Sequence, residues 1–297
     1  MSTLRAAEIS TFEKPWAYVV LTKPDVTFLV VITTVAGFYL GSTGRLDWSL
    51  LAHTLFGTML VAGGTAALNQ YFEREMDAVM RRTAARPLPS GLLQPSEVFL
   101  FGLGTIILGS TWLALAVNGL ASLLALATTI LYLGLYTPLK TRTTLATAVG
   151  AFPGALPPLI GWAAARGSLS LGAWILFAIL FCWQFPHFFS IAWMYREDYA
   201  RAGIRMLPVI DRTGDATFRQ IVGMSAVLVP VSLLPSVVGM AGIRYFFGAL
   251  VLGMILLQAS LWASRDRTNV RAKWLMHATV AHIPILLGLM ILDKLTR

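Results

Sequence analysis

Leu50–Leu68, LLAHTLFGTMLVAGGTAAL, runs straight into Asn69–Gly91, NQYFEREMDAVMRRTAARPLPSG. The first part is apolar over about 20 residues, the length a helix needs to cross the hydrocarbon of a bilayer. The second part is the densest polar cluster in the first half of the chain. Asn69, Glu73 and Asp77 fall at i, i+4 and i+8, so a helix that continues past its apolar part presents all three from one face. Two carboxylates and an amide in a row suit a hard cation such as Mg2+, which binds few protein oxygens and fills its shell with water and substrate phosphates. Arg74, Arg81, Arg82 and Arg86 follow at once. Guanidinium groups beside such a ladder compete with a metal for the carboxylates, and the pattern makes better sense with a phosphate between them. Taken alone, the stretch also fits a solvated, self-paired helix end at a membrane boundary.

Working outward, the composition places the whole chain in a membrane. Of 297 residues, 57% are hydrophobic and 12% charged, and the mean hydropathy is +0.71. A soluble domain carries about 25% charged residues. The expectation is an all-α integral membrane protein. Nine stretches are long and apolar enough to span, near 26–42, 50–70, 97–117, 120–137, 144–164, 171–193, 220–240, 244–263 and 275–293. The fifth holds Pro153, Pro157 and Pro158, which predicts a kinked or broken helix whose freed backbone groups neighbours must satisfy. Cys182 is the single cysteine and lies in an apolar run, so no disulfide framework exists. The first twenty residues carry Glu8 and Glu13 and no long apolar core, which predicts no cleavable signal peptide.

The net charge of +9 raises nucleic acid as a partner, but the basic residues are scattered through short loops, as positive-inside topology requires. With the N-terminus in the cytoplasm, only Arg45, Arg166, Arg244, Lys294 and Arg297 of the 23 Lys and Arg residues fall outside. The long polar loops after spans 2 and 6 then share the cytoplasmic side. Eight of the 14 acidic residues sit in Glu73–Glu97 and Glu197–Asp215. A weak echo joins the two regions, since Arg86-Pro87-Leu88-Pro89 in one matches Arg205-Met206-Leu207-Pro208 in the other.

Further residues carry chemistry in two readings each. Glu197 and Asp198 are adjacent, hence on different faces of a helix, with Tyr195 and Tyr199 beside them and Arg196, Arg201 and Arg205 near; a solvated loop start is the alternative. Lys140, with Tyr136 four residues before it and Arg142 beyond, is placed either to donate to a phosphate or to snorkel at the boundary. Lys23, ahead of Pro24, has the same two readings. His187, in the aromatic run WQFPHFF, lies roughly three turns before Asp198 if its helix runs on. It reads as a functional membrane histidine or as one satisfied by a neighbouring carbonyl. His277 and His282 are similar with less context, and His53 is discounted.

The ladder followed by MRRTAARPLPSG resembles the first signature of the UbiA superfamily of intramembrane prenyltransferases, and Tyr136–Lys140 is similar to its Y-x-x-x-K element. LTKPDVTFL (21–29), FPGALPPLIGW (152–162), WQFPHF (183–188), DYARAGIRMLPV (198–209) and WLMHATVAH (274–282) resemble, in order, blocks of its haem-farnesylating branch. Tyr195 and Tyr199 stand where the superfamily's second D-x-x-x-D signature has aspartates, with Asp198 beside them, and Glu73 replaces the commoner Asp.

The resemblance implies a single domain over 1–297 with an N-terminal cytoplasmic arm at 1–22, a bundle of nine transmembrane helices and a cavity open to the cytoplasmic side. It implies farnesyl diphosphate and haem B as substrates and Mg2+ held by Asn69, Glu73, Asp77 and Asp198. Lys140 would join these as a catalytic group, with Lys23, Arg74, Arg81, Tyr136, Arg142, His187, Tyr195 and Tyr199 on the substrates. It further implies a bacterial inner-membrane location, with haem A synthase or terminal oxidase assembly factors as partners and no nucleic acid. A relative acting on a quinone precursor would share the ladder but leaves WQFPHF without a reason. A transporter needs polar residues near the midplane, whereas here they gather at one edge.

Overall fold

The computed structural model describes residues 13–295. Residues 1–12 and 296–297 lie outside it, and with them the first part of the expected N-terminal arm, most of the stretch read for a signal peptide, and Arg297.

In chain order the helices are α1 (Glu13–Leu21), α2 (Pro24–Gly41), α3 (Trp48–Val79), α4 (Pro95–Ala116), α5 (Gly119–Ile130), α6 (Thr137–Leu139), α7 (Ala146–Gly154), α8 (Pro157–Arg166), α9 (Leu171–Met194), α10 (Arg196–Arg201), α11 (Leu207–Ile210), α12 (Asp215–Val237), α13 (Ile243–Asp266) and α14 (Asn269–Leu292). A π-helical segment, Leu131–Tyr136, joins α5 to α6. Among the described residues nine helical stretches are long and apolar enough to cross a membrane, counting Gly119–Leu139 and Ala146–Arg166 as one each.

The expected break in the fifth span lies between Gly154 and Pro157. Ala155 N–H turns to the Phe152 carbonyl at the break, and Gln184 Nε2 donates at 2.9 Å to the Ala151 carbonyl this leaves, while Thr34 Oγ1 ties α2 to the Pro157 carbonyl at 3.3 Å. α8 can lie this close to α2 because glycines meet there. A Cβ on Gly37 would run into the Pro158 backbone, and one on Gly161 into that of Thr34. α9 forms the middle of the largest core, where Leu176, Ile179 and Trp183 pack with Phe218, Leu228 and Leu286.

Three features fix one end of the bundle. α3 continues to Val79, about three turns beyond its apolar part, so the ladder is helical throughout. α1 buries Ala17 and Leu21 against Ala67, Leu88 and Leu93, so from Glu13 the arm is a docked helix. The loops after α3 and α9 share a small core of Met80, Ala192, Tyr199, Ile204 and Met206. α9 does not run on to Asp198, because Tyr195 leaves the helical region (φ −107°, ψ 19°) and α10 starts afresh.

Candidate active site

Each rung of the ladder faces its own cation. Lys23 Nζ donates to Asn69 Oδ1 at 2.9 Å, Lys140 Nζ to Glu73 Oε1 at 2.5 Å, and Arg86 Nη1 to Asp77 Oδ2 at 2.6 Å. All three ladder residues are buried, Asp77 completely. Asn69 also donates to Thr137 Oγ1 at 3.3 Å, tying the ladder to α6.

The cations come from three separate places in the chain. Lys23 reaches its position from a left-handed backbone (φ 47°, ψ 69°) between α1 and α2, a conformation that costs a residue with a Cβ about 1 kcal/mol or more. Burial, then the nearby Arg86, pulls its ammonium down to about 7. Burial pulls on Lys140 as well, but Tyr136 and Glu73 beside it outweigh that and hold it above the ordinary lysine value. The widened π turn sets Tyr132 and Tyr136 around the Lys140 ammonium, 5.8 and 4.4 Å from their ring centroids.

Behind these groups a cavity of about 250 Å³ runs into the bundle. Lys23, Tyr132 and Tyr136 line it, and beyond them its wall is mainly apolar, with Val61, Ile160 and Phe188, and with Gln184 as an amide. A charged mouth on an apolar shaft accommodates an amphiphile whose head is an anion.

The second loop touches the site at two points. Arg205 N donates to the Lys140 carbonyl at 2.7 Å, and Arg82 donates to Tyr199 Oη at 3.2 Å while lying 4.6 Å over the Tyr195 ring. Tyr195 and Tyr199 are thus brought to the rim, through Arg82. Asp198 is not gathered with the ladder: its carboxylate is paired with Arg201 inside α10, and among the described residues no three of His, Cys, Asp and Glu converge on one point. Arg74 turns away, donating to the Tyr71 carbonyl and to Glu75, because residue 74 lies off the ladder face. Arg81 and Arg142 are exposed at the same end. His187 is half-buried, stacked on Trp183 and bonded through Nδ1 to Thr279 Oγ1 at 2.9 Å, and it does not line the cavity although Gln184 and Phe188 do.

Tyr132 and Gln184 were not singled out from the sequence. Tyr132 was legible, since Tyr132, Tyr136 and Lys140 repeat the i, i+4, i+8 spacing of the ladder; Gln184 was marked only as an amide within an apolar run.

The oxygens present fit a divalent cation. Asn69, Glu73 and Asp77 offer hard donors, and Asp77 Oδ1 is buried with no hydrogen-bond partner. The remaining oxygens are held by lysine and arginine groups that a phosphate can engage instead.

The sequence matches the UbiA prenyltransferase family over residues 30–283. The chain belongs to the UbiA prenyltransferase family. This UbiA chain is 49% identical over 286 residues to a protohaem IX farnesyltransferase from Solibacter usitatus, covering 93% of this chain and 98% of that one. Its fold is similar to a structure of digeranylgeranylglyceryl phosphate synthase in membranes (TM-score 0.78, 19% identity, 95% and 98% of the two chains). A UbiA homologue from Archaeoglobus fulgidus, bound to DMAPP and Mg2+, is similar at TM-score 0.64 and 15% identity over 92% and 98%.

Proposed function

We propose that the chain acts as one prenyltransferase domain that moves a farnesyl group from farnesyl diphosphate to the 2-vinyl group of haem B, with addition of water, to give haem O. The observation that carries this reading is the buried ladder with its three cations, joined through Lys23, which bonds Asn69 and lines the cavity, to a mainly apolar space in the bundle. The 49% identical relative of that name and the bound DMAPP and Mg2+ of the archaeal homologue support it.

In this reading Asn69, Glu73 and Asp77 would hold Mg2+, while Asp198, paired with Arg201, stands outside that set. Bound there, Mg2+ would act as a Lewis acid on the diphosphate. Lys23, Lys140 and Arg86 turn from the ladder toward the diphosphate oxygens and stabilise the charge that grows as the carbon–oxygen bond breaks. The farnesyl chain lies in the apolar shaft, which keeps water from the allylic cation. Tyr132 and Tyr136 offer it their ring faces. The vinyl carbon then forms the new carbon–carbon bond, and water adds to the resulting cation and loses a proton. The excess of basic residues at the ladder end supports placing that end, and the N-terminus, in the cytoplasm of a bacterial inner membrane.

The test is to incubate purified protein with haem B, farnesyl diphosphate and Mg2+ and analyse the haem by mass spectrometry. A hydroxyethylfarnesyl adduct that disappears with EDTA supports the reading, and unaltered haem in the complete mixture refutes it.

A further inference from the structure

A second cavity, of about 490 Å³, lies at the end of the bundle away from the ladder. α2 separates the two sites: Lys23 precedes its first residue, Ser42 follows its last and lines the second cavity, and its 18 residues span about 27 Å.

Two cations, Arg166 and Lys294, and the start of α9 stand at this cavity. Arg166 Nε donates to the Gly41 carbonyl at 2.6 Å, and Lys294 Nζ donates to the Tyr39 and Ser42 carbonyls at 2.6 and 2.8 Å. These bonds cap the end of α2, yet they use one of five N–H groups on the guanidinium and two of three on the ammonium. Among the described residues neither cation has a carboxylate partner. Asp293, next in sequence, turns its carboxylate to the Tyr245 N–H at the start of α13. Burial first, and the charge of Arg166 second, hold the Lys294 ammonium below its ordinary value. Trp162 lies in the cavity wall with its indole N–H buried away from the open volume; the Arg166 guanidinium sits 5.4 Å over its ring, and the Lys294 ammonium 4.7 Å over that of Tyr39. Ser170, also in the wall, does not cap α9, so its side chain leaves the first N–H groups of that helix free.

Helix capping and the two aromatic rings account for where the cations stand, but among the described residues no anion answers their charge at this open volume. The rest of the wall includes Leu40, Leu171, Met240 and Leu295, and Leu171 and Leu295 are exposed at its rim. We infer that this cavity holds the phosphate head of an anionic lipid, its oxygens bonded by Arg166 and Lys294 and its acyl chains lying over the rim leucines. A phosphate suits donors that arrive from several directions, and an apolar rim at the membrane end of the bundle favours a lipid over a free ion.

Native mass spectrometry of the detergent-purified full chain tests this with phosphatidylglycerol against phosphatidylcholine. Phosphatidylglycerol is expected to be held about tenfold tighter, because both lipids carry the phosphate but phosphatidylcholine also brings a quaternary ammonium up to Arg166 and Lys294. Arg166→Gln is expected to abolish the preference. Leu171→Glu, which places a negative charge at the rim but suits a helix N-terminus and leaves the α2 caps intact, does the same while the protein melts unchanged. Equal retention of the two lipids by the unaltered protein, or a preference that survives both substitutions, overturns the inference. Displacement of phosphatidylglycerol by equimolar haem B overturns the lipid assignment in favour of a carboxylate ligand.

Discussion

Lys140 and Glu73, 67 residues apart in sequence, form an ion pair of 2.5 Å in which both side chains are only 9% exposed. The pair joins the end of the fourth span to the ladder on the second, and its worth to the fold differs from its worth to the chemistry. Removing one partner of a buried pair costs about 3–5 kcal/mol because the other charge is left unanswered. Lys140→Ala is therefore expected to lower both the detergent melting temperature and turnover. Lys140→Met combined with Glu73→Gln is expected to restore the melting temperature and leave turnover low; recovery of turnover would remove the pair from the site.

Lys23 gives the metal-free protein a signature in pH. Its folded value of about 7 lies below the unfolded 10.5, so between these values the unfolded chain binds more protons and stability rises with pH. The cost of charging Lys23 is felt in full below pH 7 and fades toward pH 10.5, with a slope of at most about 1.4 kcal/mol per pH unit. Lys140, held above its ordinary value, stays charged across this window. Thermal melts in EDTA at pH 7 and pH 9 should show a rise for the unaltered protein that Lys23→Met flattens.

Arg82 ties the two polar loops together through Tyr195 and Tyr199 without entering the ladder. An exposed cation over aromatic rings contributes about 0.5–1 kcal/mol. Arg82→Ala should therefore leave the melting temperature within a few degrees and raise KM for farnesyl diphosphate several-fold, with kcat nearly unchanged. Steady-state kinetics checks the split, and a fall confined to kcat would mean that Arg82 acts on the chemistry itself.

The Thr279 hydroxyl donates to the Met276 carbonyl at 2.6 Å, so its oxygen is left to accept from His187 Nδ1–H. That tautomer frees the His187 Nε2 lone pair. The orientation suits an iron ligand, although His187 is outside the lining of the cavity behind the ladder. His187→Ala is expected to shift the Soret band of bound haem B and weaken its binding; an unchanged spectrum and affinity would remove the residue from the haem site.

Hydropathy made the nine spans legible and left their ends unclear. α9 was anticipated to within a residue, because its apolar run stops where the helix stops. α12 and α14 instead begin at Asp215 and Asn269, several residues before the apolar windows near 220 and 275, since helix starts are set by capping and hydrocarbon length is blind to it. The π segment around Tyr132 is a matter of hydrogen-bond register, on which residue polarity is silent. In the site, Asn69, Glu73, Asp77 and Lys140 were legible because their spacing matches a helical face. Arg74 was misplaced by the same geometry: adjacency in sequence to Glu73 puts it on another side. Arg86, read only as one of a basic run, is the residue that pairs with Asp77, because the chain folds back after α3.

The central claim is that the buried ladder grips the diphosphate through a divalent ion, and Asp77, with one carboxylate oxygen unpartnered, is its most direct handle. The deciding measurement is single-turnover formation of hydroxyethylfarnesyl haem by the unaltered protein and by Asp77→Asn, each at saturating Mg2+ and farnesyl diphosphate. The account predicts a fall of about a hundredfold or more, the scale on which lost electrostatic stabilisation of a leaving group registers. Undiminished turnover by Asp77→Asn would contradict it.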